Sequence, residues 1–167
     1  IKLKPEAKFQ NKAPVNGRAV TAEDVKFSLE RLSTKSPDFP RNSDYALVDR
    51  IETPDAGTVR IITKQPYVPL INLLTNFQAV VVPKEVVAQF GDLKKPESII
   101  GSGPFIAEQV DGTKGARLKR NPDYWESGLP YLDGIEWTIV NDTQTSLAAF
   151  RAGDFDMHQV DAVDVAS

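Results

Sequence analysis

The chain has 167 residues, of which 41% are hydrophobic, with 20 basic and 23 acidic side chains and a formal net charge of -3. Nucleic-acid-binding proteins hold phosphates with a basic face, and this charge balance argues against that class. The sequence contains no cysteine, which excludes disulfides, thiol catalysis and thiolate metal sites. No stretch approaches the roughly 18 apolar residues that a transmembrane helix needs.

The first 43 residues predict a strand end, a helix and a surface loop. Residues 1–3 alternate apolar and basic side chains, as a half-buried strand does. Thr21 is the predicted N-cap of a helix, because Glu23 and Asp24 then fall in the first turn, where carboxylates favour the helix dipole. Residues 33–43 contain two prolines and several small polar residues, which predicts a loop.

The middle of the chain predicts two hairpins separated by two short helices. Residues 47–63 form the first predicted hairpin, around a turn at residues 54–57. Short helices are predicted at residues 69–75 and 83–91, since proline suits a first helical position and Gly91 suits a helix end. The second predicted hairpin spans residues 104–120 and turns at "DGTKG", which is rich in residues that tolerate positive φ.

The last part of the chain predicts a strand, a helix and a second strand. The strands are residues 135–140 and 155–160, and the helix starts after Asp142 or Thr143 and stops at Gly153. A helical crossover usually joins parallel strands, so we expect the chain to enter a different sheet near residue 135. The whole pattern predicts an α+β, or mixed α/β, fold: a hairpin-rich sheet with short helices that ends in a strand–helix–strand unit.

Three kinds of chemical site were compared with the sequence. The stretch "GSGP" lacks P-loop spacing, and Pro104 removes an N–H donor, so its glycines are predicted to shape a turn into a strand. His158 is the only histidine, and the nearby Asp154 and Asp156 are predicted to lie at a solvated strand end, which leaves no metal site. No spacing identifies a nucleophile with its base, although 23 acidic residues leave paired carboxylates open. No catalytic residue and no cofactor are therefore predicted.

Four aromatic residues lie close together in the sequence: Tyr124, Trp125, Tyr131 and Trp137. Such side chains stack on ligands in concave sites. They also anchor loops by burying a large apolar area. The sequence leaves both interpretations open, with anchoring favoured.

Six motifs occur in a fixed order along nearly the whole chain: "LKPEAKFQNKAPVNGRAVTAEDVKFSLERL", "VRIITKQPYVPLINLL", "VVPKEVV", "GSGPF", "LKRNPDYW" and "FRAGDFDM". In this order they resemble the family 5 extracellular solute-binding proteins, the dipeptide, oligopeptide and nickel receptors of ABC importers. Each motif is short, and the specificity of the resemblance comes from their order.

The resemblance implies a two-lobed periplasmic-binding-protein fold in a protein longer than this chain. Residues 1–135 would form the extra subdomain of the first lobe, lobe I, and residues 136–167 would start the return into its main part. The implied location is periplasmic or extracellular, either free or held as a lipoprotein by an anchor outside this chain.

The function implied by the resemblance is that of a non-enzymatic receptor. It would capture peptides or a similar small solute for ABC permease subunits, without nucleic acid. Members that bind nickel or oligosaccharides are the alternatives within the family, and a carboxylate-dependent hydrolase domain is the alternative of another class.

The resemblance also suggests ligand-binding residues. Tyr45 lies after the first helix, in the region where some peptide-binding members place a tyrosine near the pocket. Asn76, Phe77 and Gln78, which precede "VVVPKEVV", are a second and weaker candidate for lining it.

Overall fold

The computed structural model describes residues 1–35 and 42–159. Its helices are α1 (Ala22–Ser33), α2 (Leu70–Leu74), α3 (Lys84–Phe90) and α4 (Thr143–Ala152), with short 3-10 turns at Asn42–Tyr45 and Pro96–Ser98. Its strands are β1 (Val48–Asp55), β2 (Thr58–Thr63), β3 (Phe105–Asp111), β4 (Gly115–Arg120) and β5 (Gly134–Thr138). β1 and β2 form one antiparallel sheet, and β3, β4 and β5 form another. The predicted α+β class with two hairpins and short helices is confirmed.

Helix α1 begins where the sequence predicts. Thr21 is its N-cap, and both the backbone N–H and the Oγ1 of Thr21 donate to Asp24 Oδ2, at 2.9 and 2.8 Å. The buried side of α1 contributes to the first core cluster, together with the 3-10 turn and the first hairpin. Its buried members are Ala22, Val25, Leu29, Tyr45, Ile51 and Val59.

A second core cluster joins the N-terminal loop to α3. Phe9 and Val86 are fully buried there, and Val15 and Ile100 complete the cluster. Ser28 links α1 to the segment just before α3: its Oγ donates to Asp24 O at 2.7 Å and accepts from the N–H of Val82 at 2.9 Å. A buried hydroxyl thus satisfies the backbone just before α3, where an unpaired N–H would be costly.

The first hairpin turns later than the sequence predicts. β1 continues to Asp55 and β2 begins at Thr58, so only residues 56 and 57 form the connection. Pro54 lies inside β1, within the irregular register between Glu52 and Asp55, where a missing N–H costs no regular ladder bond. The predicted N-terminal strand end is present as a bridge from Lys2 to Thr58.

The helices after the first hairpin agree with their predicted positions. α2 spans Leu70–Leu74, and α3 ends at Phe90, followed by its C-cap Gly91, whose φ of +75° explains the glycine. The N-cap of α4 is Asp142, whose Oδ1 accepts from the N–H of Thr145 at 2.7 Å.

Two predictions for the C-terminal third are wrong. β5 does not enter a different sheet, because it pairs antiparallel with β4 as the third strand of the second hairpin's sheet. The predicted strand at residues 155–160 is absent over 155–159, and residue 160 lies outside the described residues. The strand–helix–strand pattern suggested a parallel partner for β5. The chain instead returns antiparallel along β4 before α4 begins, so the sequence pattern predicted the wrong partner strand.

The "GSGP" stretch and Phe105, the first residue of β3, are held by three polar side chains. Gln10 Nε2 donates to Phe105 O at 2.6 Å, Asn121 Nδ2 donates to Gly103 O at 3.2 Å, and Trp125 Nε1 donates to Ser102 O at 2.9 Å. Gln10 and Asn121 are buried. Because the protein itself occupies these carbonyls, the stretch is a structural junction that leads into β3, as predicted.

Candidate functional site

Helix α2 packs against the first core cluster through part of its surface and leaves the rest exposed. Leu70, Leu73 and Leu74 are half-buried, and Leu74 packs against the first core cluster. Ile71 lies beside Leu70 and Leu74 along the same groove and is 65% exposed. With only five residues, α2 has little stability of its own and is held by this apolar contact.

The turn after α2 contains three of the four predicted ligand-binding residues. Asn76 Oδ1 accepts from the N–H of Gln78 at 3.0 Å, and Asn76 O accepts from the N–H of Ala79 at 2.9 Å. These two bonds fix the turn while Phe77 remains 82% exposed. A large aromatic side chain is thus held in solvent by a defined backbone, which is costly unless something covers it.

Exposed apolar side chains also lie within ten residues of Phe77 along the chain. We call them the α2 surface; its members are Val68, Ile71, Phe77 and Val80. The sequence analysis missed the other three, although the 3.6-residue period already places Ile71 to one side of the stripe formed by Leu70, Leu73 and Leu74. An open groove of about 290 Å³ lies beside this surface, between β2 and α2, lined mainly by apolar side chains. Concentrated exposed apolar side chains of this kind mark binding surfaces.

Tyr45 lies in a different environment from the other three predicted residues. It belongs to the first core cluster and is 9% exposed. Asn76, Phe77 and Gln78 are at the surface or half-buried. The structure therefore brings three of the four predicted residues together and places the fourth in the core.

A cluster of charged side chains surrounds Arg18, and none of its members belongs to the α2 surface. Its Nη1 and Nη2 donate to the two carboxylate oxygens of Asp24 at 2.8 and 2.7 Å, and its Nε and Nη2 donate to those of Glu85, both at 2.8 Å. Burial of Asp24 works against its charge, but the hydrogen bonds from Arg18 and Thr21 outweigh burial and lower the pKa of Asp24. The bonds from Arg18 also lower the pKa of Glu85.

This cluster does not suit carboxylate catalysis. A general acid must hold a proton near neutral pH, whereas the lowered pKa values keep both carboxyl groups ionised. Their oxygens are already bound by one guanidinium, which suggests a structural role.

One serine–histidine contact occurs near the C-terminal end of the described residues. Ser146 Oγ lies 2.9 Å from His158 Nδ1, and the His158 ring stacks on Phe150 with 5.9 Å between centroids. A nucleophilic serine needs a base that a third group orients. Within residues 1–35 and 42–159, His158 Nε2 has no hydrogen-bond partner, so this contact offers no such triad. Over the same residues, no group of acidic or histidine side chains could hold a metal ion.

The four aromatic residues divide into two pairs. Tyr124 and Trp125 are half-buried with ring centroids 5.2 Å apart. Trp125 donates a hydrogen bond to Ser102 O in the "GSGP" stretch, which supports the anchoring interpretation for Trp125. Tyr131 and Trp137 are 86% and 68% exposed.

The described helices all lack the length and apolar content needed to cross a membrane.

Comparison with solved structures finds the same fold in binding proteins. AppA from Bacillus subtilis, solved in complex with a nonapeptide, has a TM-score of 0.84 at 25% identity, covering 99% of this chain and 32% of AppA. MoaA from A. tumefaciens R10, solved in complex with mannopinic acid, has a TM-score of 0.78 at 32% identity, covering 93% of this chain and 30% of MoaA.

Sequence comparison gives the same result. The glutathione-binding protein GsiB of Salmonella typhi is 31% identical over 155 residues, which are 92% of this chain and 29% of that protein. The chain thus spans about a third of the length of the proteins it matches. The family model for bacterial extracellular solute-binding proteins, family 5, matches residues 1–167. Because the family model matches all 167 residues, this chain belongs to the family 5 bacterial extracellular solute-binding proteins.

Proposed function

We propose that this chain is part of the solute-binding receptor of a bacterial ABC importer. The receptor captures a short peptide or a similar small solute outside the membrane and delivers it to the permease subunits. The observation that carries the proposal is the match of a transport-receptor family model to all 167 residues. Relatives named for glutathione binding and neighbours solved with peptides support the solute class. The receptor acts in the periplasm or at the cell exterior, either free or held by a lipid anchor outside these residues.

Within the receptor, we assign residues 1–135 to the extra subdomain of lobe I and residues 136–167 to the return into its main part. Both core clusters, which lie within residues 9–100, support an independent unit in the first part. The proposed boundary falls inside β5, so the three-stranded sheet links the two parts.

The α2 surface is our proposed contact with the solute. Phe77 supplies an apolar face, and the neighbouring Asn76 and Gln78 supply amide donors and acceptors. Tyr45 stays a predicted contact, reached through the small part of its surface that is exposed. The solute stabilises a closed state because it contacts both lobes of the full-length receptor, and closure is therefore a shift in population between two states.

The test is calorimetry on a full-length receptor that contains residues 1–167. The titrants are glutathione, a set of tripeptides, a nonapeptide and mannopinic acid, and at least one is expected to bind with micromolar or tighter affinity. Phe77→Ser should weaken that binding by about tenfold, which corresponds to roughly 1.4 kcal/mol. Leu132→Ser is the matched control, since Leu132 is also exposed, at 60%, but lies outside the α2 surface.

Two results would contradict the proposal. One is the absence of binding to every titrant at millimolar concentration. The other is release of amino acids from the peptides, which would favour the carboxylate-dependent hydrolase instead. Equal weakening by Phe77→Ser and Leu132→Ser would contradict only the role of the α2 surface.

A further inference from the structure

Asn16 is followed by glycine, and it is the one asparagine in the sequence with that neighbour. A glycine has no Cβ, so nothing hinders attack of its backbone nitrogen on the side-chain amide of the residue before it. Asparagine is also among the thermolabile residues. The Asn16–Gly17 pair therefore carries a chemical reactivity that solute binding does not use.

The pair lies in a turn at the protein surface. Asn16 is exposed, so water reaches its side chain. Asn16 and Gly17 have positive φ angles of 53° and 73°, in the left-handed region that asparagine and glycine tolerate. Beyond the turn, Phe9 N donates to Arg18 O at 3.0 Å. The turn is thus a connection between two segments that hydrogen bonds hold together.

Two hydrogen bonds restrain the groups that would react. Gly17 N donates to Gln10 O at 3.3 Å, and Asn16 Nδ2 donates to Pro14 O at 3.2 Å. Both distances are at or beyond the long end of the usual range. Attack requires that the Gly17 nitrogen lose its proton and that the Asn16 side chain turn towards it. Because both groups have other partners, the turn must open before the reaction occurs.

The buried side chain of Val15 opposes that opening. Val15 is 4% exposed and belongs to the second core cluster, with Phe9 and Val86. Its backbone N–H also donates to Lys12 O at 3.0 Å. A large movement of the Asn16 backbone therefore requires Val15 to leave the core. The free energy of this local opening, rather than exposure alone, limits the reaction.

We propose that Asn16 is a site of spontaneous covalent modification, where asparagine is converted to aspartate and isoaspartate, and that the packing of Val15 sets the rate. In the opened turn, the Gly17 nitrogen loses its proton to solvent and bonds to Asn16 Cγ. The bond from Cγ to Nδ2 breaks, and the amide group takes up a proton and leaves as ammonia. The product of this step is a succinimide ring.

Water then opens the ring at one of its two carbonyl groups. Cleavage of the new bond between Gly17 N and Asn16 Cγ gives aspartate. Cleavage of the original peptide bond gives isoaspartate. The net reaction consumes one water and releases one ammonia for each asparagine, and it needs no oxidant, reductant or other co-reactant.

The two products differ in their effect on the fold. Aspartate keeps the length of the backbone and tolerates positive φ as asparagine does. Isoaspartate directs the backbone through Cβ and Cγ, which adds one atom just before Gly17. That atom displaces Arg18, whose guanidinium binds Asp24 and Glu85. Isoaspartate should therefore weaken the ion pairs that join this loop to α1 and α3.

The test is incubation of the full-length protein that contains residues 1–167 at neutral pH, both folded and in urea, followed by peptide mapping with mass spectrometry. The peptide with Asn16 should gain the mass difference between an amide and an acid, and an isoaspartate methyltransferase should label part of it. Conversion should be at least about tenfold faster in urea, because only the opened turn reacts. Asn141 is the internal control, since it is exposed but followed by Asp142, and it should convert much more slowly.

Two valine variants separate local opening from global unfolding. Val15→Ala removes two methyl groups from the core beside Asn16 and should speed conversion in the folded protein by roughly tenfold. Val59→Ala is the matched control, because it removes the same groups from a fully buried position in the first core cluster. Its rate should stay near that of the wild type. In urea, the three proteins should convert at similar rates.

Brief proteolysis of aged protein in intermediate urea tests the structural consequence. The molecules that the protease digests first should be enriched in isoaspartate, because they unfold more readily. Asn16→Asp, which contains only the product of normal length, should resist digestion as the wild type does.

Three outcomes would overturn the proposal. The first is that Asn16 stays intact in the folded protein, in both the wild type and Val15→Ala. The second is equal acceleration by Val15→Ala and Val59→Ala, which would assign the reaction to global unfolding. The third is equal conversion of Asn16 and Asn141, which would remove the role of Gly17. All these measurements are independent of whether the protein binds a solute.

Discussion

Arg18 joins parts of the protein that are far apart in the sequence. Its guanidinium connects the first turn of α1, through Asp24, with α3, through Glu85, which is 67 residues away. The guanidinium carbon also lies 5.0 Å from the centre of the Phe9 ring, within cation–π range. Because Asp24 is buried while Arg18 is partly exposed, the pair is costly to break but is not isolated from water.

Removing the charge of Asp24 should destabilise the chain at neutral pH. Asp24→Asn keeps the size of the side chain but leaves Arg18 facing a neutral amide, and we expect the free energy of unfolding to fall by about 2 kcal/mol. The difference should shrink on acidification. The pKa values of Asp24 and Glu85 lie below the usual 3.8 and 4.5. Their stabilisation is therefore complete above about pH 5 and is lost as the pH falls through the lowered values.

Urea unfolding at a series of pH values from 7 to 3 measures both effects. Glu52→Gln is the control, since Glu52 also binds an arginine, Arg50, but both side chains are exposed. Its effect on stability should be much smaller, as for most surface ion pairs. A difference between wild type and Asp24→Asn that is independent of pH would show that the charge of Asp24 is not what stabilises the fold.

At the scale of elements, the second sheet depends on two glycines that allow close approach of its strands. A Cβ at Gly115, the first residue of β4, would lie 1.8 Å from Trp137 O on β5. A Cβ at Gly134 would lie 2.7 Å from Leu118 O. Both values are far below van der Waals contact, so the pairing of β4 with β5 requires the absence of a side chain at both ends of β5.

We expect Gly115→Ala to destabilise the sheet by about 3 kcal/mol, from the clash with Trp137 O and from the φ of +131°. Gly112→Ala is the matched control: it lies in the same hairpin, and its added Cβ would have no heavy atom within 4 Å. Urea unfolding followed by tryptophan fluorescence measures both. Equal stability of the two variants would contradict the close approach of β4 and β5.

The sequence predicted the elements of this fold better than their partners. Thr21 and Asp142 cap the starts of α1 and α4, and Gly91 caps the end of α3. Because a cap depends only on residues close to it in the sequence, these helix ends could be predicted from local chemistry. The sheet assignment of β5 failed because pairing with β4 depends on contacts between separate strands. The strand predicted at residues 155–160 is absent over 155–159 for a related reason, because an alternating sequence forms a strand only where a neighbouring strand can pair with it.

At the scale of the whole molecule, the two core clusters contrast with two uncovered regions. The clusters bury Phe9, Val59 and Val86 almost completely. The α2 surface and the face of the second sheet leave Phe77 and Trp137 largely exposed. A soluble protein rarely maintains such exposed aromatic side chains in apolar surroundings without a partner, which agrees with a chain that spans about a third of its relatives.

We therefore expect the isolated chain to fold but to bind peptides weakly or not at all. In the isolated chain a solute contacts only one surface and lacks the contacts that a second lobe would supply. Binding therefore cannot be strengthened by closure of two lobes around the solute. Calorimetry of the isolated chain with the solute that binds best to the full-length receptor measures this. Micromolar binding by residues 1–167 alone would contradict it and would place the whole recognition site within this chain.

The sequence by itself determined the family, the α+β class, the ends of most helices and both hairpins. These features depend on local capping, periodicity and turn chemistry, or on the order of motifs along the chain. Only the tertiary structure decided that Tyr45 is in the core while Phe77 is in solvent, that Arg18 binds Glu85, and that β5 pairs with β4 and leaves its other edge free. Those outcomes depend on which distant surfaces meet, and neither the period nor the propensity of a single segment contains that information.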